Sequence, residues 1–379
     1  MNSPNEADST PPGDLSPGEA RTPRTLGDLQ KTITMAQIAK AASVSQGAIS
    51  SLLNDRDYGI RVSEKTRERV FKVCREMGYI PNDLRAVVRM YPELGDFCLL
   101  IPTSIAAGLA DPLVARIAAA ILATVKTPAH AMTVAAYEEG RDYVTEPEAL
   151  PQPIRAGVCS KFLVLGNASH LLLHALQRRG TPAVSLGHDP ALPGVVSLVP
   201  DFAQASQLAI EHLHGLGHRQ IGIVSGPFGS TDPKLLELNR GVRLACEALD
   251  LPIDAGMVVY GDLTEKSGST AVDEFFAHEP APTAIFCLSD AAAAGVLAAA
   301  AARGLRVPAQ LSVVGCADDA CAVLLHPALT TVRLPAEAMA AEGVREIERL
   351  IQETTPPEGR RVVLPVRLIE RDSTAAAAE

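Results

Sequence analysis

At 379 residues the chain exceeds one small module and has room for two or three domains. Its net charge of −10, taken whole, argues against nucleic acid, and a 4% aromatic content with no Trp supplies few flat stacking surfaces. No apolar run reaches membrane-spanning length, and seven cysteines without a C-x-x-C pair read as reduced thiols, not a disulfide framework; Cys316 and Cys321 lack His or Cys neighbours at metal-ligand spacing.

Residues 1–30 are rich in Pro, Ser, Thr, Asp and Glu, too polar to offset the entropy of ordering, and read as a disordered tail; they hold no apolar stretch of the secretory-signal kind. Charge is uneven beyond them. Residues 31–92 carry 11 Lys+Arg against 6 Asp+Glu, a net of +5, whereas the body that follows carries −12. The positive field is thus confined to one short segment, where phosphates would sit.

That segment, 31–82, spells a small three-helix head. Thr34 is placed to cap a first helix with Gln37 reaching back, Ser45 to cap a second, and Ser63 to cap a third that Gly78 stops. Ile38, Ala39, Ala42, Val44, Ile49, Leu52 and Leu53, with Val70, Val73 and Met77, supply the apolar face. Two short helices joined by a tight turn form a helix-turn-helix, and the start of the second, Ser45, Gln46, Gly47 and Ala48, is where such a helix meets base edges in the major groove. The Gln46 amide can pair bidentately with adenine, Ser45 and Ser50 can reach phosphates or bases, and the Ala48 methyl can touch a thymine methyl.

From 96 the pattern becomes strand and helix in alternation. Apolar runs at 97–101, 131–136, 162–165, 183–186, 220–224, 258–260, 284–288 and 311–314 alternate with helical periodicity at 112–125, 171–178, 202–216, 235–249, 271–276, 291–303 and 335–351. Such runs imply parallel sheets covered on both faces, and 96–379 exceeds one core, so two lobes with a ligand cleft between them are expected. The fold class is α/β: an all-α head, a linker at 83–95, then a two-lobed body.

From about 32 to 374 these residues resemble the lac repressor (LacI/GalR) family of transcription regulators. In the head the matching stretches are Ile38-Ala39, Val44-Ser45, Asn54, Val62-Ser63-x-Lys65-Thr66-Arg67-x-Arg69-Val70 and Gly78-Tyr79-Ile80-Pro81-Asn82. In the body they are Leu216-Gly217-His218-Arg219-x-Ile221, Gly241, Ala284-Ile285-Phe286-Cys287-x-Ser289-Asp290, Ser312-Val313-Val314-Gly315, Pro327 to Val332, Leu364-Pro365-Val366 and Arg371-Asp372-Ser373-Thr374. The resemblance implies a homodimeric repressor or activator, taken as a repressor, cytoplasmic and nucleoid-associated. Its body would be like a periplasmic binding protein, with a carbohydrate-like effector in the cleft changing affinity for duplex operator DNA.

By the same resemblance the DNA contacts fall on Thr34, Ser45, Gln46, Gly47, Ala48, Ser50, Ser51, Asn54, Arg61, Ser63, Thr66, Tyr79 and Asn82. The hinge, which in relatives wedges a Leu into the minor groove, falls on Leu84, Arg85, Ala86 and Val88, with Val88 at the wedge. In the cleft the family's ligand-holding Asp is matched by Asp290, and its ligand-binding Arg by Leu238.

Several departures stand out. Ser51 occupies a position where many relatives read guanine with Arg, the connection at 55–60 is a few residues longer than usual, and the Pro-rich segment at 140–159 lacks a long helix. Ala317 replaces the first Asp of a Gly-aromatic-Asp-Asp turn, with Asp318 retained. These point to an effector unlike an ordinary sugar, or to weakened regulation by ligand.

Asp290 has a second reading as the N-cap of an alanine-rich helix. His188, His212, His214 and His218 suggest no catalytic or metal set: His212 and His214 are two apart on a helix, and His218 ends a Leu-Gly-His turn. No phosphate loop and no nucleophile elbow is present, so neither an enzyme nor a cofactor is expected. Two alternatives stay open on sequence: a DNA-binding regulator or architectural protein whose cleft has lost ligand response, and a solute-binding protein, which fits the body alone.

Overall fold

The computed structural model describes residues 33–54, 62–79, 84–91, 94–105, 107–125, 131–166, 170–252, 255–277, 279–352 and 359–377. The expected tail at 1–30, the long connection at 55–60, Arg61 and Asn82 lie outside the described residues. The chain divides into two compact units after Asn82, so the expected hinge segment falls with the second.

The first unit holds three helices, α1 (Met35–Ala42), α2 (Gln46–Asn54) and α3 (Glu64–Met77). Thr34 and Gln37 make the reciprocal capping box: the Thr34 backbone N–H donates to Gln37 Oε1 at 2.8 Å, and the Gln37 N–H to Thr34 Oγ1 at 3.4 Å. Ser43 closes α1 in the left-handed region (φ 53°), the chain reverses, and the Ser45 hydroxyl accepts the Ala48 N–H at 3.1 Å to open α2. Ser63 caps α3, accepting the Thr66 N–H at 3.3 Å, and Gly78 ends it at φ 73°. Ile38, Ala39, Ala42, Ala48, Ile49, Leu52, Leu53, Val70 and Cys74 form the buried core. The buried stripe of α3 is thus Val70 and Cys74, four apart, whereas Val73 and Met77 are only half-buried.

The second unit begins with α4 (Leu84–Met90) and carries two six-stranded sheets. Its strands are β1 (Asp96–Pro102), β2 (Met132–Tyr137), β3 (Cys159–Leu165), β4 (Ala183–Leu186), β5 (Val196–Pro200), β6 (Ile221–Ser225), β7 (Val258–Tyr260), β8 (Ala284–Cys287), β9 (Ser312–Ala317), β10 (Thr330–Arg333), β11 (Arg360–Leu364) and β12 (Arg367–Ile369). One sheet runs β11-β5-β4-β3-β1-β2 and the other β12-β10-β9-β8-β6-β7, all parallel except β12, which is antiparallel to β10. Their helices are α5 (Pro112–Thr124), α6 (Gln152–Ala156), α7 (His170–Arg178), α8 (Phe202–Gly215), α9 (Pro233–Ala248), α10 (Glu265–Phe275), α11 (Asp290–Ala302) and α12 (Ala336–Gln352).

Each sheet has an apolar layer on both faces, which is why its strands read as continuous apolar runs. The chain crosses between lobes three times: from β5 to α8, from β10 to α12, and from β11 to β12. Helix α12 therefore packs on the first lobe, through Ala336, Met339, Ala340, Val344 and Ile347, although the strand before it belongs to the second. Two crossings meet where the Asp201 N–H donates to the Leu364 carbonyl at 2.9 Å. Helices α8 and α9 lie so close that a Cβ on Gly241 would stand 2.1 Å from the Ala203 carbonyl oxygen.

The sequence reading passes over β5, β10, β11, β12 and α6. It also starts α10 late, since Glu265 to Thr270 are mostly polar and α10 buries only Gly268, Ala271, Val272 and Phe275.

Candidate nucleic-acid interface and interlobe cleft

At the amino end of α2, Ser45 and Gln46 are exposed, and Gly47, Ser50 and Ser51 are half-exposed. Ala48 is not available to a base: it is 8% exposed and belongs to the core of the head, because the first turn of α2 must cover α1. The side chains of Thr34 and Ser63 cap their helices from exposed positions, and Thr66 and Tyr79 are half-buried. The described residues of the head thus put one long polar side chain, Gln46, at the helix start where a groove would be read.

The hinge segment is helical, and Ala86 and Val88 within it are packed. In α4, Ala86, Val87 and Val88 are 1%, 5% and 6% exposed, and Val88 Cγ1 lies 2.9 Å from where a Cβ on Gly95 would stand. The buried Lys161 Nζ donates to the Gly95 carbonyl at 2.8 Å and lies over the Phe97 ring at 4.8 Å, fixing the chain beneath α4. The expected wedge residue is therefore packed against the first lobe, since a β-branched apolar side chain off DNA gains by leaving water.

In the second lobe, the cap of α11 is Ser289, whose hydroxyl accepts the Ala292 N–H at 3.1 Å and donates to the Leu263 carbonyl at 2.7 Å. This corrects the reading of Asp290 as the cap; it is the first residue of the helix. Asp290 is wholly buried: Oδ1 accepts the Thr331 hydroxyl at 2.6 Å and Oδ2 the Asp319 N–H at 2.7 Å. Burial pushes its carboxyl above the usual range, against those two hydrogen bonds. Gly315 makes the room, for a Cβ there would meet Asp290 Oδ1 at 2.2 Å. Leu238 is equally buried and packs in the core under α9. Both expected ligand positions thus present no surface to the cleft in this form.

The polar groups that do face across the lobes lie elsewhere. Arg116 of α5 donates to the carbonyls of Ala317 (3.0 Å), Asp318 (3.4 Å) and Leu334 (3.0 Å), and to both Glu337 oxygens (3.2 and 3.1 Å). Against partial burial, hydrogen bonds and charge from Arg116, with Arg333, hold the Glu337 carboxyl down at about 2. The Asp318 carboxylate pairs with Arg371 at 2.6 Å and Arg333 at 3.5 Å. Asp319 Oδ1 is buried without a hydrogen-bond partner. Burial, then the neighbouring Asp290 and Asp111 carboxylates, raise the Asp319 carboxyl to about 6 against Arg116 and Lys234. Sequence reasoning missed Arg116 and Asp319. The signal for the first was there: Arg116 is the sole charged residue in the apolar helix PLVARIAAAILAT.

Residues 34–82 match the family model for bacterial regulatory proteins of the lacI family, and residues 210–374 that for a periplasmic binding protein-like domain. The HTH-type transcriptional regulator CelR of Thermobifida fusca is 30% identical over 345 residues, covering 90% of this chain and 98% of the relative. The chain belongs to the LacI family. DegA of Bacillus subtilis is 28% identical over 90% of this chain and 98% of its own length, and the catabolite control protein A of Priestia megaterium 26% over 90% and 99%. Among solved structures, a CelR–cellobiose complex superposes with a TM-score of 0.63 at 28% identity, covering 90% of this chain and 99% of that one. The lac repressor dimer bound to operator and an anti-inducer shares the fold at TM-score 0.63 and 24% identity, covering 91% and 100%.

As a LacI-family transcriptional regulator, the chain has a helix-turn-helix head and a two-lobed binding-protein-like body. His218 is structural: its Nδ1 meets the Thr283 hydroxyl at 2.9 Å and its Nε2 the Ser312 hydroxyl at 3.0 Å. No cluster of metal-ligating side chains occurs among the described residues, and no helix there is long and apolar enough to cross a membrane.

Proposed function

We propose that this regulator is a homodimer that reads a pseudo-palindromic operator through Gln46 and represses until a small molecule enters the interlobe cleft. The observation that carries the reading is the exposed polar start of α2 on a capped, well-packed head whose segment alone is cationic. Gln46 reads an adenine, Ser45, Ser50 and Ser51 add phosphate or base contacts, and Thr34, Gly47, Asn54, Arg61, Ser63, Thr66, Tyr79 and Asn82 set the register. Pairing of two bodies is supported by the exposed Phe228 and Tyr260, stacked edge to face at 5.1 Å at the edge strand β7, and by exposed Leu109, in the turn just before α5, and Leu122, in its last turn. Two heads would then enter major grooves about one helical turn apart.

The hinge acts in this scheme only if Val88 leaves Gly95 for the minor groove, with Leu84, Arg85 and Ala86 moving with it. Solved LacI-family structures hold cellobiose and ribose, which supports a hydroxyl-rich effector class; the departures at Leu238 and Ala317 give this chain a different selectivity. The chain works where the chromosome is, in the cytoplasm.

Selection of binding sites from random duplex DNA at low salt tests the reading. The parent protein is expected to enrich an inverted repeat, and Gln46→Ala to lose preference at one symmetric base pair. Enrichment of no sequence by the parent would overturn it.

A further inference from the structure

We propose that Arg116 is a built-in latch that holds the two lobes closed without a ligand. This goes beyond the regulator reading and does not depend on it. Arg116 projects from α5, which packs on the first sheet, and its contacts at Ala317 and Asp318 lie at the end of β9 in the second. A guanidinium has five N–H donors, and all are used here: three on carbonyls and two on the Glu337 carboxylate. The side chain is 17% exposed, so these bonds form largely out of water, where unmade ones are costly.

The receiving turn is built for the contact. Ala317 and Asp318 have φ of 147° and 56°, a region that non-glycine residues hold only when their surroundings fix them. The fixing groups are Arg371 and Arg333 on the Asp318 carboxylate, and Asp290 on the Asp319 N–H. The strained turn aims two successive carbonyls at one arginine on the facing lobe. Glu337 has a different part: it sits on α12, on the same lobe as α5, where it pre-orients the guanidinium, and its 3.1 Å bond to Arg333 of β10 spans only four residues at a crossing, so Glu337 can stay with Arg116 when the lobes part. Opening about the crossings therefore strips Arg116 of its carbonyl partners in the second lobe at once. Any molecule entering the cleft must compete with this closure, and one that offers Arg116 no comparable acceptors leaves it shut.

The test reads lobe separation directly. Spin labels are placed at His174→Cys on α7 and Ala298→Cys on α11, both exposed, in a Cys321→Ser background; the other six cysteines are buried. Labelled full-length protein is diluted with unlabelled protein so that only distances within one chain are read, and no small molecule is added. With Arg116 present one closed separation is expected to dominate. Arg116→Ala should shift the ratio of separated to closed forms by roughly tenfold or more, with Arg116→Lys intermediate because it has fewer donors. Glu337→Gln should stay mainly closed.

The proposal is overturned if Arg116→Ala gives the parent distribution, if the parent is mainly open, or if Glu337→Gln opens as far as Arg116→Ala. Should Arg116→Ala not fold, Arg116→Lys decides, since an unchanged distribution there is equally fatal.

Discussion

Asp290 and Thr331 meet at 2.6 Å between the first residue of α11 and the middle of β10, both fully buried. The hydroxyl is the partner of one oxygen of a carboxyl that burial has already pushed upward. Thr331→Val keeps the shape and removes the donor, leaving that oxygen unpartnered, at a cost of about 1–3 kcal/mol. Because the folded-state pKa is raised, the folded form favours the proton, and Asp290 adds stability at low pH that is lost as pH rises. The variant deepens that loss. Urea unfolding should show a lower midpoint at pH 8 than the parent and a smaller gap at pH 5; equal gaps at both would remove the carboxyl from the explanation.

Ser289, not Asp290, caps α11, and the two positions separate in a simple measurement. Ser289→Ala removes the acceptor for the Ala292 N–H and the donor to Leu263, and should cost about 1–2 kcal/mol. Asp290→Ala should cost more, because Thr331 and the Asp319 N–H then lose a buried acceptor. Thermal unfolding of both variants would show Ser289→Ala with the smaller loss.

What the sequence discloses and what it hides divide along local and distant pairing. β4 and β7 stand where their apolar runs put them, and three helix caps in the head sit on Thr34, Ser45 and Ser63, because a cap needs only neighbours three residues away. β11 is hidden: Arg360 and Arg361 are exposed, and its partner β5 lies more than 150 residues earlier. β12 is a three-residue edge with Arg367 exposed. At the cleft, Asp290 looks like a ligand carboxylate because its cover, Thr331 and Asp319, arrives only when β9 and β10 pair beside it. Val88 resembles an exposed wedge until Gly95 and Ser160 are brought under it.

Asp319 gives a second pH dependence, with its own sign. Its carboxyl is raised to about 6 from an ordinary value of 3.8, so its favourable contribution is full below about pH 4 and is lost as pH rises through 6. Above that, a charged, partly buried carboxylate with one unpartnered oxygen opposes folding. Asp319→Asn removes the charge and should stabilise the protein at pH 8 by at most about 3 kcal/mol, the equivalent of a two-unit shift, and by less where water relaxes the site. At pH 4 the variant and parent should unfold alike in urea. A gain of the same size at both pH values would mean packing, not ionisation, sets the difference.

Gly95 decides whether α4 stays on the first lobe. A Cβ added there would stand 2.2 Å from Ser160 Oγ and 2.9 Å from Val88 Cγ1, and the Gly95 backbone cannot simply retreat because Lys161 holds its carbonyl at 2.8 Å. The softer element is α4, seven residues long, so Gly95→Ala should push Val88 outward and undock the helix before it disturbs β1 or β3. Hydrogen exchange of the α4 amides should accelerate roughly tenfold, a shift of about 1.4 kcal/mol in the docking equilibrium, with the amides of β3 unchanged. If Val88 is released in this way, the hinge is also freed for DNA, and operator affinity at low salt should rise or hold even as α4 loses protection. Equal acceleration in α4 and β3 would place the strain in the sheet and leave the docking of Val88 without a role.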